Sequence, residues 1–297
     1  MRFPTALALL ALLAAAPAGA QDSNPARGQR ANPAAPVQGQ PAAEGQARLR
    51  VRFEAAITDL QQRAAARGAT REDYQRVADQ ITAAAQAYDG TSPAILPLRQ
   101  RAAARLADIE ARARAGAVEA QEFDALRDQL VDLDLEIALG RLRAAAKAQK
   151  FTRAEYQAFV DAWTARAAAA KEGNPELDAV RSRAKAALEA VAKRAQAAAA
   201  PTEEEVQALG DCVAEYRTFT AVGALEKRAL EKKASQADYD DVVSAVRAAS
   251  GEEIAKKVQA RLAELQAAVE GGRITREQFA ELRGMLVKRA RAAASGG

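Results

Sequence analysis

Apolar residues recur at spacings of three and four from about residue 46 onward, and no stretch of useful length alternates as a strand would. The clearest stripe is Phe123, Leu126, Leu130, Leu133, Ile137 and Gly140. Val206, Leu209, Val213, Tyr216, Thr220 and Gly223 repeat it 83 residues later. This is the heptad seam of a left-handed helical bundle. A helix interior disfavours glycine by about 1 kcal/mol, so Gly140 and Gly223 in one phase predict close approach of another helix. The aromatic anchors share the period: Tyr74 and Tyr156 are 82 residues apart, Tyr156 and Tyr239 are 83 apart. Self-similarity over that length indicates stacked supersecondary units.

The helix starts are marked by a recurrent pattern of hydroxyl, acid or amide, and aromatic. It reads Thr70–Asp73–Tyr74, Thr152–Glu155–Tyr156, Ser235–Asp238–Tyr239 and Thr275–Gln278–Phe279, with Thr202–Glu205–Val206 and Glu119–Glu122–Phe123 as looser copies. In this capping box the cap hydroxyl accepts from the N3 amide, and the N3 side chain reaches back to the cap amide. Ile274, Phe151 and Val118, just before caps, are placed to staple onto the residue at N4. Ser92-Pro93 and Asn174-Pro175 put a cap residue before a proline at N1, while Gly68, Gly116, Gly173 and Gly271-Gly272 sit where helices end in a left-handed residue.

Together these signals predict an all-α protein of tandem three-helix repeats forming an elongated bundle or solenoid. Unit 1 (69–150) has helices at about 70–88, 92–115 and 119–149. Unit 2 (151–233) has them at 152–171, 174–199 and 202–232, and unit 3 (234–297) at 235–249, 252–270 and 275–294. Residues 46–68 resemble the second half of the third helix of a unit, with Ile57 and Leu60 in the places of Leu139 and Leu142, and would cap the array. Pro97 requires the second helix to kink or to start near Leu98. Whether the units form a rod or a curled solenoid is left open.

Alanine fills about a quarter of the chain, and Arg, Glu, Gln and Leu supply much of the rest, all strong helix formers. With aromatics at 4%, cores must be thin seams of Leu, Val and Ala, which suits bundles and solenoids better than a globular enzyme. The N-terminus departs from this composition. Arg2, the apolar run Ala6–Ala16 and Ala18-Gly19-Ala20 are the three parts of a secretory signal peptide over residues 1–20. Gln21 follows the cleavage site, so bacterial lipidation at a cysteine is not expected. Residues 21–45, with four prolines among Gln, Asn, Gly and Ala, read as a disordered tether. No later run reaches membrane-spanning length, and the mature chain is expected to be exported, periplasmic or extracellular.

The formal charge is +4, or +3 without Arg2, on an interspersed mixture of 43 basic and 39 acidic residues. Such a surface permits an anionic envelope polymer as partner without requiring one, and no specific nucleic-acid partner is expected. The chain has no histidine, which removes Ser-His and Cys-His nucleophile pairs and most zinc sites. Asp132/Asp134, Glu203/Glu204/Glu205 and Asp240/Asp241 lie on helices or their first turns and read as facing water or the helix dipole, so no catalytic dyad is assigned. Gly271–Phe279 resembles half of an EF-hand loop but lacks its carboxylates, with Gln278 in the twelfth position. No metal or cofactor is expected. Cys212 cannot form an internal disulfide; it reads as a small buried hydrophobe, with an intermolecular disulfide as the alternative. Tyr156, Phe159 and Trp163 share one helix face and read as core anchors. Lys288-Arg289-Ala290-Arg291 suits the negative end of the last helix, with contact to an anionic surface as the alternative.

Leu262-Ala263-Glu264-Leu265, Gly272, Ile274-Thr275, Glu277, Phe279 and Leu286 resemble the bacterial short C-terminal helical hairpin domain, SHOCT, over 255–290, and 106–130 echoes it. Gln278 and Arg283 depart from that family's usual acid and Lys. The resemblance implies a hairpin used in association. Ile274-Thr275-Arg276-Glu277-Gln278 is also similar to the Leu-Thr-x-x-Gln motif of periplasmic Spy/CpxP-type chaperones, which are all-helical and basic.

These readings converge on an exported, non-enzymatic helical scaffold or protein-interaction protein of the bacterial envelope, engaging a protein partner or a second copy. A periplasmic holdase is the alternative, and a carboxylate-dependent hydrolase a remote one. Thr70, Tyr74, Phe123, Thr152, Tyr156, Thr202, Ser235, Tyr239, Thr275 and Phe279 are expected to serve as caps and anchors of the repeats. An exposed apolar concave face would favour the holdase, and two acids converging in a deep pocket the hydrolase.

Overall fold

The computed structural model describes residues 40–295 except 87, 89–91, 93, 119, 170–173 and 198, with side chains from 53 to 288. The expected signal peptide and the tether up to residue 39 lie outside the described residues. Within them are ten α-helices and no strand: α1 (Gln40–Ala65), α2 (Arg71–Gln86), α3 (Ile95–Arg114), α4 (Ala120–Ala148), α5 (Arg153–Ala169), α6 (Pro175–Gln196), α7 (Glu203–Leu230), α8 (Gln236–Ser250), α9 (Glu252–Glu270) and α10 (Arg276–Ser295). None is long and apolar enough to cross a membrane.

Local chemistry accounts for most ends. The Thr202 amide donates to Glu205 (2.8 Å) while the Glu205 amide donates to the Thr202 hydroxyl (3.1 Å). Thr152 and Glu155 make the same reciprocal pair at 2.8 and 3.2 Å, and Thr70 and Asp73 do so at 2.9 and 3.4 Å. The Ser235 amide and hydroxyl both donate to Asp238 Oδ2, and the Thr275 amide donates to Gln278. These bonds satisfy donors that the helix leaves free. The Asn174 side chain accepts from the Glu176 and Leu177 amides, opening α6 at Pro175.

Four details differ from the sequence reading. Helix α1 begins at Gln40, inside the expected tether; Pro41 then falls in the first turn, where its missing N–H costs nothing. Helix α3 begins at Ile95 with Ala94 as its N-cap. Pro97 is therefore also a first-turn proline, and Ser92 is not the cap. At the end of α1 the left-handed residue is Arg67 (φ 56°) and not Gly68, whereas Gly116 (φ 69°) and Gly272 (φ 66°) take that conformation as expected. Finally, a Cβ on Gly223 would meet nothing within 4 Å, while one on Gly210 would lie 2.8 Å from Arg143 Nη2 and 3.6 Å from Leu139. Another helix therefore comes close at Gly210 and not at Gly223.

Two apolar clusters form the core. One joins α1, α2, α3 and the first half of α4; the other joins the second half of α4 to α5–α10. Helix α4 belongs to both: Phe123, Leu126, Leu130, Leu133 and Ile137 face the first, and Leu135, Ala138, Leu139, Leu142 and Ala146 face the second. The anchors Tyr74, Phe123, Tyr156, Tyr239 and Phe279 are all buried, as are Ile57 and Leu60. Trp163 stands edge-on to Tyr216, with ring centroids 5.2 Å apart. Helices α4 and α7 pack directly on each other, and α8 of the third unit touches α3 of the first. The array therefore curls back at that point.

Candidate functional site: a buried ionic cleft

With two faces of α4 taken by the apolar clusters, its remaining stripe is polar: Glu122, Gln129, Asp132, Glu136 and Arg143, again at heptad spacing. Helix α7 meets this stripe with Gly210, Ala214, Arg217, Ala221, Ala224 and Arg228. Arg228 Nη2 donates to Glu122 (2.8 Å) and Arg217 Nη2 to Glu136 (3.0 Å), while Gly210 lies beside Leu139. Numbers rise on one helix as they fall on the other, so the two run antiparallel. The small residues on α7 leave room between its two arginines, and cavities flank the seam.

One group of charges ties α3, α4, α7 and α8. Arg105, 1% exposed, sends Nη2 to Asp238 (3.0 Å) and Asp241 (2.8 Å). Glu122, 2% exposed, also accepts from Arg112 Nη1 at 3.2 Å. Asp238 has two tasks: it caps α8 through Ser235, and it faces Arg105 and Arg228, whose Nε is 2.9 Å away. A second group ties α4, α5 and α7. Arg166 Nε donates to Asp132 (2.7 Å) and its Nη2 to the Thr220 hydroxyl. Glu136 accepts from Arg217, from Arg143 (3.2 Å) and from the Ser92 hydroxyl (2.5 Å). The Ser92 oxygen in turn accepts from Arg143 Nη1 at 3.0 Å. Gln129 adds a bond from α4 to the first group by donating to Asp241 at 2.8 Å.

The balance of burial against partners differs from one carboxylate to the next. Burial pushes Glu136 up, but Arg217, the Ser92 hydroxyl and Arg143 hold it below its ordinary value. Asp238 is likewise lowered: burial opposes this, and Arg105, the Ser235 amide and Arg228 prevail. Asp241 is raised by burial that Arg105 and Arg101 only partly offset. It shares one Arg105 nitrogen with Asp238, and its other near donor, Gln129, is uncharged. Asp128 is raised by burial despite Arg166. Among the cations, Arg101 is lowered, first by burial and then by its like-charged neighbours Arg217 and Arg105, with Asp241 acting against them.

Two cavities open beside the seam. The larger, about 790 Å³, lies between α3, α4, α7 and α8, with Arg101, Arg105, Arg143, Arg217 and Arg247 on its walls. The smaller, about 460 Å³, is reached past Asp128, Asp132, Arg166, Thr220 and Lys227. Arg101, Arg105, Gln129, Arg217 and Asp241 line both. Among the described residues no group of three or more His, Cys, Asp or Glu side chains is placed to hold a metal ion.

Asp132 and Asp134 are buried and Asp241 is half-buried, so they do not face water as the sequence reading had it. The usable signal was the third stripe of α4: once two faces are apolar, a polar heptad on the third has to be buried against something. Of the capping and anchor residues, Asp238, the N3 partner of Ser235, and Asn174, the cap of α6, line the smaller cavity. Glu122, read as the N3 acid of a loose box, is drawn into the ionic seam. Cys212 is buried in the core, and desolvation pushes its thiol up to about 11. The resembled hairpin, α9 and α10, places Leu262, Leu265, Phe279, Leu282 and Leu286 in the second apolar cluster. Compared with known proteins, the chain matches no family model, no curated protein and no solved structure.

Proposed function

We propose that this protein is an exported, non-enzymatic helical interaction protein of the bacterial envelope, and that it recognises its partner in the charged cleft between α3, α4, α7 and α8. The observation that supports this best is the larger cavity. Its walls carry arginines held by buried carboxylates, so recognition groups are set in place before a partner arrives. Large exposed apolar side chains, Leu96, Leu230 and Met285, are scattered over α3, α7 and α10. That distribution supports a holdase less, since such a protein needs a contiguous apolar surface. One observation favours a carboxylate hydrolase: Asp128 and Asp241, both pushed up by burial, line the smaller cavity. Each nonetheless faces a guanidinium, Arg166 at 3.7 Å and Arg105 at 2.8 Å, an arrangement suited to holding charge more than to moving protons.

A photo-crosslinking residue at Ala248, exposed on the cleft wall, should capture a discrete envelope partner, whereas the same residue at Lys185 on α6 should not. Filling the cavity with Ser244→Trp should abolish capture without loss of helix content. Equal capture from both positions would refute the cleft as the recognition site. Turnover of an envelope polymer, lost in Asp241→Asn, would replace this reading with the hydrolase.

A further inference from the structure

On the wall shared by the two cavities, four unpartnered guanidinium nitrogens outnumber one unpartnered acceptor, Gln129 Oε1. Arg105 uses only Nη2, leaving Nε and Nη1 without hydrogen-bond partners although the side chain is buried; Arg217 Nε and Arg101 Nε are also without hydrogen-bond partners. The nearest carboxylate oxygens stand off: Glu122 is 3.9 Å from Arg105 Nη1, and Asp132 is 3.7 Å from Arg217 Nε. Arg101 is the least compensated cation of the three. Its Nη1 reaches the Asp241 carbonyl at 3.3 Å, and the Asp241 carboxylate is 3.7 Å away. A buried guanidinium with free N–H groups loses water without gaining an acceptor, so three of them together form a standing demand for negative oxygen.

The acids around the larger cavity do not meet that demand. Glu136 is taken by Ser92, Arg143 and Arg217, and Asp241 by Arg105 and Gln129. Asp211 and Asp240 accept from the side chains of Gln207 and Gln236 on their own helices. Arg143 and Arg247 add further positive charge to the same cavity. The space is that of a small-molecule or peptide-sized site.

We infer that the larger cavity is an oxyanion-binding site, in which a carboxylate or phosphate group is held by Arg101, Arg143 and Arg247 over the buried positive charge of Arg105 and Arg217. This rests on the cleft being the recognition site and names the chemistry of what enters it. Guanidinium groups match both anions through charge-assisted hydrogen bonds. The anion meets Arg101, Arg143 and Arg247, the guanidinium groups with accessible surface, while the unpartnered N–H groups of Arg105 and Arg217, closed to water, attract it from behind the wall; the Asp238, Asp241 and Glu136 bonds stay intact. The cation that gains most is Arg101, lowered by burial and by its two like-charged neighbours.

The test is calorimetric titration of the purified chain with inorganic phosphate and, separately, with a small tricarboxylate, each against chloride at matched ionic strength. Saturable binding of at least one anion is expected. Preference for phosphate over the tricarboxylate, or the reverse, separates the two sources of the group. Arg101→Gln should weaken binding about tenfold through loss of a charge-assisted contact. Because Arg101 makes few contacts, helix content should be unchanged. Lys227→Gln, which alters only the smaller cavity, should leave binding as it was. Absence of saturable binding of either anion would overturn the proposal, as would equal binding by Arg101→Gln. If neither anion binds while Ser244→Trp still abolishes partner capture, the interaction reading stands and the oxyanion site falls.

Discussion

The buried pair Glu136–Arg217 offers the sharpest test of how α4 and α7 are held together. Both side chains are almost fully buried, 4% and 3% exposed. Glu136→Leu leaves Arg217 with only Asp132 at 3.7 Å, so a buried guanidinium loses its near partner; the expected cost is about 4 kcal/mol. Arg217→Met should cost somewhat less, about 3 kcal/mol, because Glu136 keeps Arg143 and the Ser92 hydroxyl. The double variant removes both charges, and the leucine and methionine side chains can fill the space. Asp132 retains Arg166 at 2.7 Å. Its cost should therefore be about 2 kcal/mol, below either single change, because the penalty of a buried unpaired charge is gone. The coupling between the two sites is then about 5 kcal/mol, within the range seen for close buried pairs. Urea unfolding would measure it, followed by far-UV circular dichroism and by fluorescence of Trp163, the single tryptophan, which packs on Tyr216 of α7. Unchanged denaturant dependence across the four proteins would show that stability alone had changed. If the single costs simply added, to within about 0.5 kcal/mol, the two residues would not act as a buried pair and the ionic seam would be refuted.

The two glycines of α7 should respond oppositely to alanine. Gly223→Ala, with open space around its Cβ, should stabilise by about 1 kcal/mol, whereas Gly210→Ala should lose that gain by pushing Arg143 off Ser92 and Glu136; equal gains by chemical denaturation would contradict the close approach at Gly210. Tyr156→Ala should cost about 3 kcal/mol as a lost core aromatic and Thr152→Ala about 1 kcal/mol as a lost cap, and a mild Tyr156→Ala would contradict its burial. The Cys212 thiol, pushed up to about 11 by desolvation, should resist alkylation in the native protein at pH 8 and react freely in denaturant. Glu136, held below its ordinary value, contributes stability that is complete above the unfolded carboxylate pKa of about 4 and lost as pH falls through the native value. The stability difference between wild type and Glu136→Gln should therefore shrink in that acid window, and a difference constant with pH would refute the assignment.

Much of the fold follows from sequence because its causes are local. A hydroxyl three residues before an acid satisfies free amides wherever it occurs, and apolar residues at three-four spacing have to bury one helix face. Hence Thr70, Thr152 and Thr202 are caps, Tyr74, Tyr156, Tyr239 and Phe279 are buried anchors, and the protein is all-helical. Pro97 and Ser92 show where local reasoning stops. With Ser92 as cap, Pro97 would be the fifth helical residue, where its missing N–H is needed. The helix starts at Ile95 instead, the proline falls in the first turn, and the Ser92 hydroxyl donates to Glu136, 44 positions away. The cleft lies further beyond reach. Glu122 and Asp238 carry the same capping pattern as solvent-facing acids, and nothing within a few residues of either says that Arg105 and Arg228 will stand beside them. Those neighbours come from packing α4 against α7 and folding α8 back to α3. Local spacing determined which residues begin, end and line each helix. Only the tertiary structure decided which charges would be taken out of water together, because burial and pairing depend on what the other helices bring.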